Sequence, residues 1–111
     1  MALYANNNTT APVWVVSAPT DYNVTMTNAD TEYSQLLPAG CKRFSMTVRD
    51  GVATDNFRTA FVTGKVATPT APFEKLPCTI GIVEQDVNFA AQTVYFACSA
   101  AGKIMQIRAW V

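Results

Sequence analysis

An all-β fold is what this sequence predicts: a single antiparallel β-sandwich, jelly-roll-like in one arrangement, carrying an extended N-terminal arm. Three observations lead there. No window of a dozen residues repeats apolar positions at helical spacing without a proline, a glycine or a β-branched cluster interrupting it. Threonine and valine are abundant, and both favour the pleated, half-buried surface of a sheet. Turn residues recur at roughly the 8 to 12-residue spacing of short antiparallel strands: Pro19, Asn28-Ala29-Asp30, Pro38-Ala39-Gly40, Asp50-Gly51, Gly64-Lys65, Pro77 and Gly102.

The arm comes first and is assigned to residues 1–12, with the β-sandwich domain following over 13–111. Asn6 to Pro12 has no apolar anchor apart from Ala11, so Leu3 and Tyr4 at the tip have no local core to join. Such a segment is either a loose chain end or an arm that clips onto a neighbour. Among the strands, Arg43 to Arg49 alternates most cleanly, with Phe44, Met46 and Val48 on one face and Arg43, Ser45, Thr47 and Arg49 on the other. Asn56 to Thr63 is more mixed: Phe57 and Phe61 share one face, Arg58, Ala60 and Val62 the other, as expected where both faces are covered. From Val66 to Pro77 the prolines at 69, 72 and 77 remove ladder donors, which predicts an extended crossover or an edge segment. Thr79 to Glu84 reads as a further strand whose Gly81 marks a bulge. Thr93 to Cys98 and Lys103 to Val111, joined by the small residues Ser99-Ala100-Ala101-Gly102, read as a closing hairpin.

Composition narrows the function. Half of the 111 residues are apolar and 14% are charged, against about 25% charged in ordinary soluble domains, which excludes intrinsic disorder. Eight basic and eight acidic side chains give a formal net charge of zero, so no summed field draws nucleic acid or an anionic membrane. With so little charge repulsion between copies, self-association and ordered assembly are favoured. No charged segment followed by a long apolar one opens the chain, so no signal peptide is expected. Apolar runs of five residues or fewer fall far short of the roughly 20 that cross a bilayer.

Catalytic chemistry finds little to build on. Histidine, the commonest general base and metal ligand, is absent from the sequence. Cys41, Cys78 and Cys98 are odd in number and widely spaced, which fits free thiols of a reducing cytoplasm better than a disulfide framework or a metal knuckle. Cys41 precedes Lys42 and Arg43 but has no base to activate it. Glu84 and Asp86, two apart, would share one face of a strand, a geometry open to a glycosidase pair or a calcium site yet more ordinary in a solvated loop. No catalytic residue, cofactor or metal is therefore assigned. Arg49 and Arg58, at strand ends around the loop with Asp50 and Asp55, read as exposed ion pairs or, more sharply, as residues gripping a neighbouring subunit. Trp14 and Trp110 read as packing residues of the sheets.

From residue 32 onward a longer pattern emerges. It comprises Glu32-Tyr33-Ser34-Gln35-Leu36-Leu37-Pro38-Ala39-Gly40, then Lys42-Arg43-Phe44 with a strand ending in Arg49, then Arg58 with Phe61. Thr93-Val94-Tyr95-Phe96-Ala97 with Ser99, Gly102 and a strand ending in Trp110 complete it. This pattern of strand and turn residues, over residues 32–110, resembles a class of small structural proteins of tailed bacteriophages. The resemblance implies a compact all-β virion component, made in the bacterial host cytoplasm and assembled onto a capsid or tail without enzymatic activity, and it carries over no residue with a chemical role.

The leading expectation is thus a capsid decoration, or cement, protein. It would bind as a small oligomer where capsomers meet, with the major capsid protein and copies of itself as partners, through the Leu3-Tyr4 arm and one exposed β face, with Arg49 and Arg58 as further candidate subunit contacts. A tail, neck or fibre-associated β module would serve the same pattern. A module binding host glycans through Tyr22, Tyr33 or Trp110 is the third reading, if those rings face solvent.

Overall fold

The protein, as a computed structural model, is described over residues 18–111, in which eight strands and no helix form. The arm at 1–12, with Leu3 and Tyr4, lies outside the described residues, as does Trp14. The strands are β1 (Thr20–Met26), β2 (Tyr33–Leu37), β3 (Cys41–Arg49), β4 (Asn56–Ala60), β5 (Glu74–Pro77), β6 (Ile82–Phe89), β7 (Gln92–Cys98) and β8 (Lys103–Trp110). They make two four-stranded antiparallel sheets, ordered β1-β8-β3-β6 and β2-β7-β4-β5.

The pairing has a simple logic. The first strand pairs with the last, the second with the seventh, the third with the sixth and the fourth with the fifth. A chain folded into one long hairpin gives those four pairs. Rolling the hairpin up then adds β3 to β8 and β4 to β7. The result is the jelly-roll arrangement of eight strands in two sheets.

This topology corrects one expectation. β7 and β8 both form, but they are not a hairpin: β7 lies between β2 and β4, whereas β8 lies between β1 and β3 in the other sheet. Ser99 to Gly102 carries the chain across the sandwich. Gly102, at φ 79°, donates its N–H to Met26 O at 2.8 Å, and Ser99 donates its N–H to Asn56 O at 2.9 Å, so each end of the crossing is tied to a different sheet. Val94, Phe96 and Cys98 then face Met105, Ile107 and Ala109 through the core, all of them buried. A hairpin would have put the two apolar stripes side by side in a single sheet.

Other strands shift more modestly. β3 begins at Cys41 and buries Phe44, Met46 and Val48 as its alternation predicts. β4 ends at Ala60 instead of Thr63, which leaves Phe61 and Val62 exposed beyond its end. The proline-rich stretch delivers an edge strand, β5, as expected. β6 starts at Ile82, later than the predicted strand. Gly81 precedes it and is no bulge: a Cβ there would sit 2.6 Å from Thr47 Cγ2, so the glycine permits close passage over β3. The register slip of β6 instead falls opposite Cys41 and Arg43, between Gln85 and Phe89, where Asp86 takes φ 60°.

The core lies between the sheets, and its largest fully buried side chains include Phe44, Phe57 and Phe96. At roughly 1.5–3 kcal/mol for each large apolar side chain buried, this stripe dominates the stability of the fold.

Candidate functional site

The sequence reads Arg58 as an exposed ion pair or a residue gripping a neighbouring subunit, and the structure corrects the exposure on which both readings rest: Arg58 is buried. Its side chain is 6% exposed, and its donors are spent inside the chain. Nε donates to Val66 O at 2.6 Å, Nη1 to Asn56 Oδ1 at 3.2 Å and Nη2 to Asp30 Oδ1 at 2.8 Å. The ion-pair partner is Asp30, from the turn after β1, and not Asp50 or Asp55. Arg58 therefore pins three segments, and Glu32 does similar work beside it by accepting from Thr63 Oγ1 at 2.7 Å and Gly64 N–H at 2.9 Å. Together they hold the long β4–β5 connection against the body of the sandwich.

Arg49 is different. It is exposed at the end of β3, on the outer face of the first sheet, and has no ion pair among the described residues. That face is polar, because the period of two sends Asp21, Asn23, Thr47, Gln106 and Arg108 outward while the apolar alternates enter the core. A shallow basin of about 430 Å³ lies on it, lined by several of these residues with Arg49 and Trp110. Arg108 grips Asp21 with two hydrogen bonds, Nε to Oδ1 at 2.6 Å and Nη2 to Oδ2 at 3.0 Å. The guanidinium holds the Asp21 carboxyl below its ordinary range, and the carboxylate in turn raises Arg108. Arg43, opposite Trp110 in the ladder, places its Cζ 4.5 Å from the ring centroid, a cation–π contact. Of the aromatics considered for glycan binding, Tyr22 and Tyr33 pack against the core, and Tyr33 accepts the Asn28 N–H at its hydroxyl, 2.9 Å away. Trp110 alone stands on the outer face.

An apolar groove of about 310 Å³ opens where the edge strands β5 and β6 run, between the two sheets. Phe61 stands at its wall in an aromatic cluster, with its ring centroid 6.2 Å from Phe44 and 5.7 Å from Phe89. Glu74 and Glu84 also line it. Sequence reasoning weighed Glu84 only as a partner for Asp86, and the slip in β6 ends the simple alternation that would have kept those two carboxylates together. Glu74 and Phe61 were missed as site residues, because the groove depends on which strands become edges. No group of three or more metal-ligating side chains gathers among the described residues.

The three thiols are unpaired and buried. Cys41 donates its S–H to Arg43 O at 3.3 Å, so the lysine and arginine beside it in sequence do not bring it to the surface. Cys78 and Cys98 touch at 3.7 Å between sulfurs. Burial, and then the Cys98 contact, push the Cys78 thiol up to about 12, the opposite of an activated nucleophile. Compared with protein-family models, with curated proteins and with solved structures, the chain gives no match.

Proposed function

We propose that this chain is a non-enzymatic structural protein of a tailed-bacteriophage virion, and that it serves as a capsid decoration protein stabilising the shell where capsomers meet. The observation that carries the reading is the outer face of the β1-β8-β3-β6 sheet. It is a broad strand surface with Arg43, Arg49, Arg108 and Trp110, residue types that concentrate at the energetic centres of protein interfaces. Jelly rolls recur in viral capsid and lectin domains, a likeness of fold that assigns no activity by itself. The strand and turn pattern over residues 32–110 supports the phage class.

Cryo-electron microscopy of the parent particle tests the placement. Density for this chain over the shell is the expected result; density at the tail alone overturns it in favour of a tail, neck or fibre module. Deleting residues 1–11 should weaken attachment to capsids in a cosedimentation assay and leave the melting of the isolated domain nearly unchanged. If attachment survives the deletion, the Leu3 and Tyr4 contact is wrong.

One observation favours a second reading. Trp110 beside a polar basin is the setting of a sugar-binding surface, and glycan-array binding lost on Trp110→Ala would support it.

A further inference from the structure

The groove between β5 and β6 has a charge pattern that its apolar lining does not explain. In antiparallel pairs, residues directly opposite share a face. Glu84 lies opposite Phe44, and Ile82 opposite Met46, so Glu84 stands on the inner face of its sheet. Glu74 lies opposite Thr59, itself opposite Phe96, so Glu74 stands on the inner face of the other sheet. Each edge strand thus turns a carboxylate into the gap between the sheets, over a floor of Phe44, Met46 and Thr59. Neither carboxylate has a salt bridge or hydrogen bond among the described residues. Thr59, 9% exposed, has a hydroxyl whose one contact is Met46 Sδ at 4.0 Å, leaving its oxygen free to accept from an incoming donor.

Three occupants compete for such a groove. A second copy presenting the same edge would bring four carboxylates together; inward-facing charge on edge strands is a known barrier to that pairing. Residues 1–17 of the chain contain no lysine or arginine, so they would cover the two carboxylates without compensating them, at a desolvation cost. A basic segment has neither defect.

We propose that this groove receives an extended segment of another protein whose alternate side chains read apolar, basic, apolar. The segment adds by backbone pairing to the outer edge of β6, which is eight residues long, without proline and unpaired among the described residues. Its apolar side chains rest on Phe44, Phe61 and Ile82, and its lysine or arginine meets Glu74 and Glu84 at the rim.

Nuclear magnetic resonance titration of the full-length ¹⁵N-labelled chain tests this with three peptides: blocked Leu-Ser-Arg-Ser-Leu, the same peptide with Gln at its centre, and a peptide of residues 1–17. The arginine peptide is expected to shift the amides of Thr59, Phe61, Ile82 and Glu84 and to bind at least about tenfold tighter than the glutamine peptide at low salt. Replacing both carboxylates, Glu74→Gln with Glu84→Gln, should erase that difference while the melting temperature holds. Equal binding of the arginine and glutamine peptides to the unaltered chain overturns the proposal. So does tighter binding of the 1–17 peptide, or the absence of shifts from any peptide at millimolar concentration. The comparison on the unaltered chain decides the matter even if the double variant does not fold.

Discussion

Arg58→Met is the sharpest perturbation of this fold, because it keeps a long apolar stem and deletes only the guanidinium. Three hydrogen bonds vanish. The leg to Asp30 is worth little, since that carboxylate's side chain is 58% exposed and solvent screens it; about 0–1 kcal/mol is its share. The leg to Val66 O weighs more, as Val66 is fully buried and its carbonyl would lose a charged donor, at about 1–3 kcal/mol. Asn56 loses a weaker, longer bond. The two principal legs sum to about 1–4 kcal/mol, and at about 4 °C per kcal/mol for a domain of this size the melting temperature should fall by about 4–16 °C. Circular dichroism melts and urea titration read this directly, with the urea slope unchanged. Arg58→Lys should recover little, because an ammonium cannot reproduce the fork. A drop under about 2 °C for Arg58→Met would refute the pinning role, and Arg49→Ala, at the exposed end of β3, supplies the matched surface control with an expected change within about 0.5 kcal/mol.

Further outcomes follow from the same geometry. Gly51→Ala should cost at least about 3 kcal/mol or abolish cooperative unfolding, because a Cβ there collides with the backbone carbonyl of Cys78, which cannot swing aside as a side-chain tip can; a normal urea midpoint would contradict this. All three cysteines should resist Ellman's reagent in the native state and react on unfolding, so rapid native labelling would refute their burial. The Cys78 thiol holds its proton in the folded chain up to about 12 and releases it near 9.0 when unfolded, so its contribution to stability is full below pH 9 and is lost as pH rises from 9 towards 12; Cys78→Ser should flatten that limb of the pH–stability curve. Asp21 is depressed by Arg108, and Arg108→Ala should raise the Asp21 titration midpoint towards its ordinary value, read by carboxyl carbon shifts; an unmoved midpoint would show that the pair does not persist in solution.

The edge carboxylates and the arginine pin show why the candidate surfaces were only partly legible. Arg49 and Arg58 look alike in sequence, each at a strand end beside an aspartate-bearing loop. What separates them is Asp30, 28 residues upstream of Arg58, and the buried carbonyl of Val66, neither of which local pattern connects to it. Phe61 reads as a continuation of the Phe57 face, but β4 ends at Ala60 and the ring joins Phe44 and Phe89 across the gap between sheets.

The class of the fold is written in the chain itself, because side-chain alternation and turn chemistry are local. Phe44, Met46 and Val48 declare one face of β3 without reference to any partner, and the prolines at 69, 72 and 77 confine their stretch to an edge. Which strands pair depends on long-range packing that no local pattern carries. A four-residue connection such as Ser99 to Gly102 closes a hairpin or crosses a sandwich with equal ease, and the choice falls to whether β7 and β8 bury more apolar surface beside each other or face to face. Rolling the long hairpin places them face to face, makes β5 and β6 the edge strands on one side among the described residues, and so sets Glu74 and Glu84 at the mouth of the same groove.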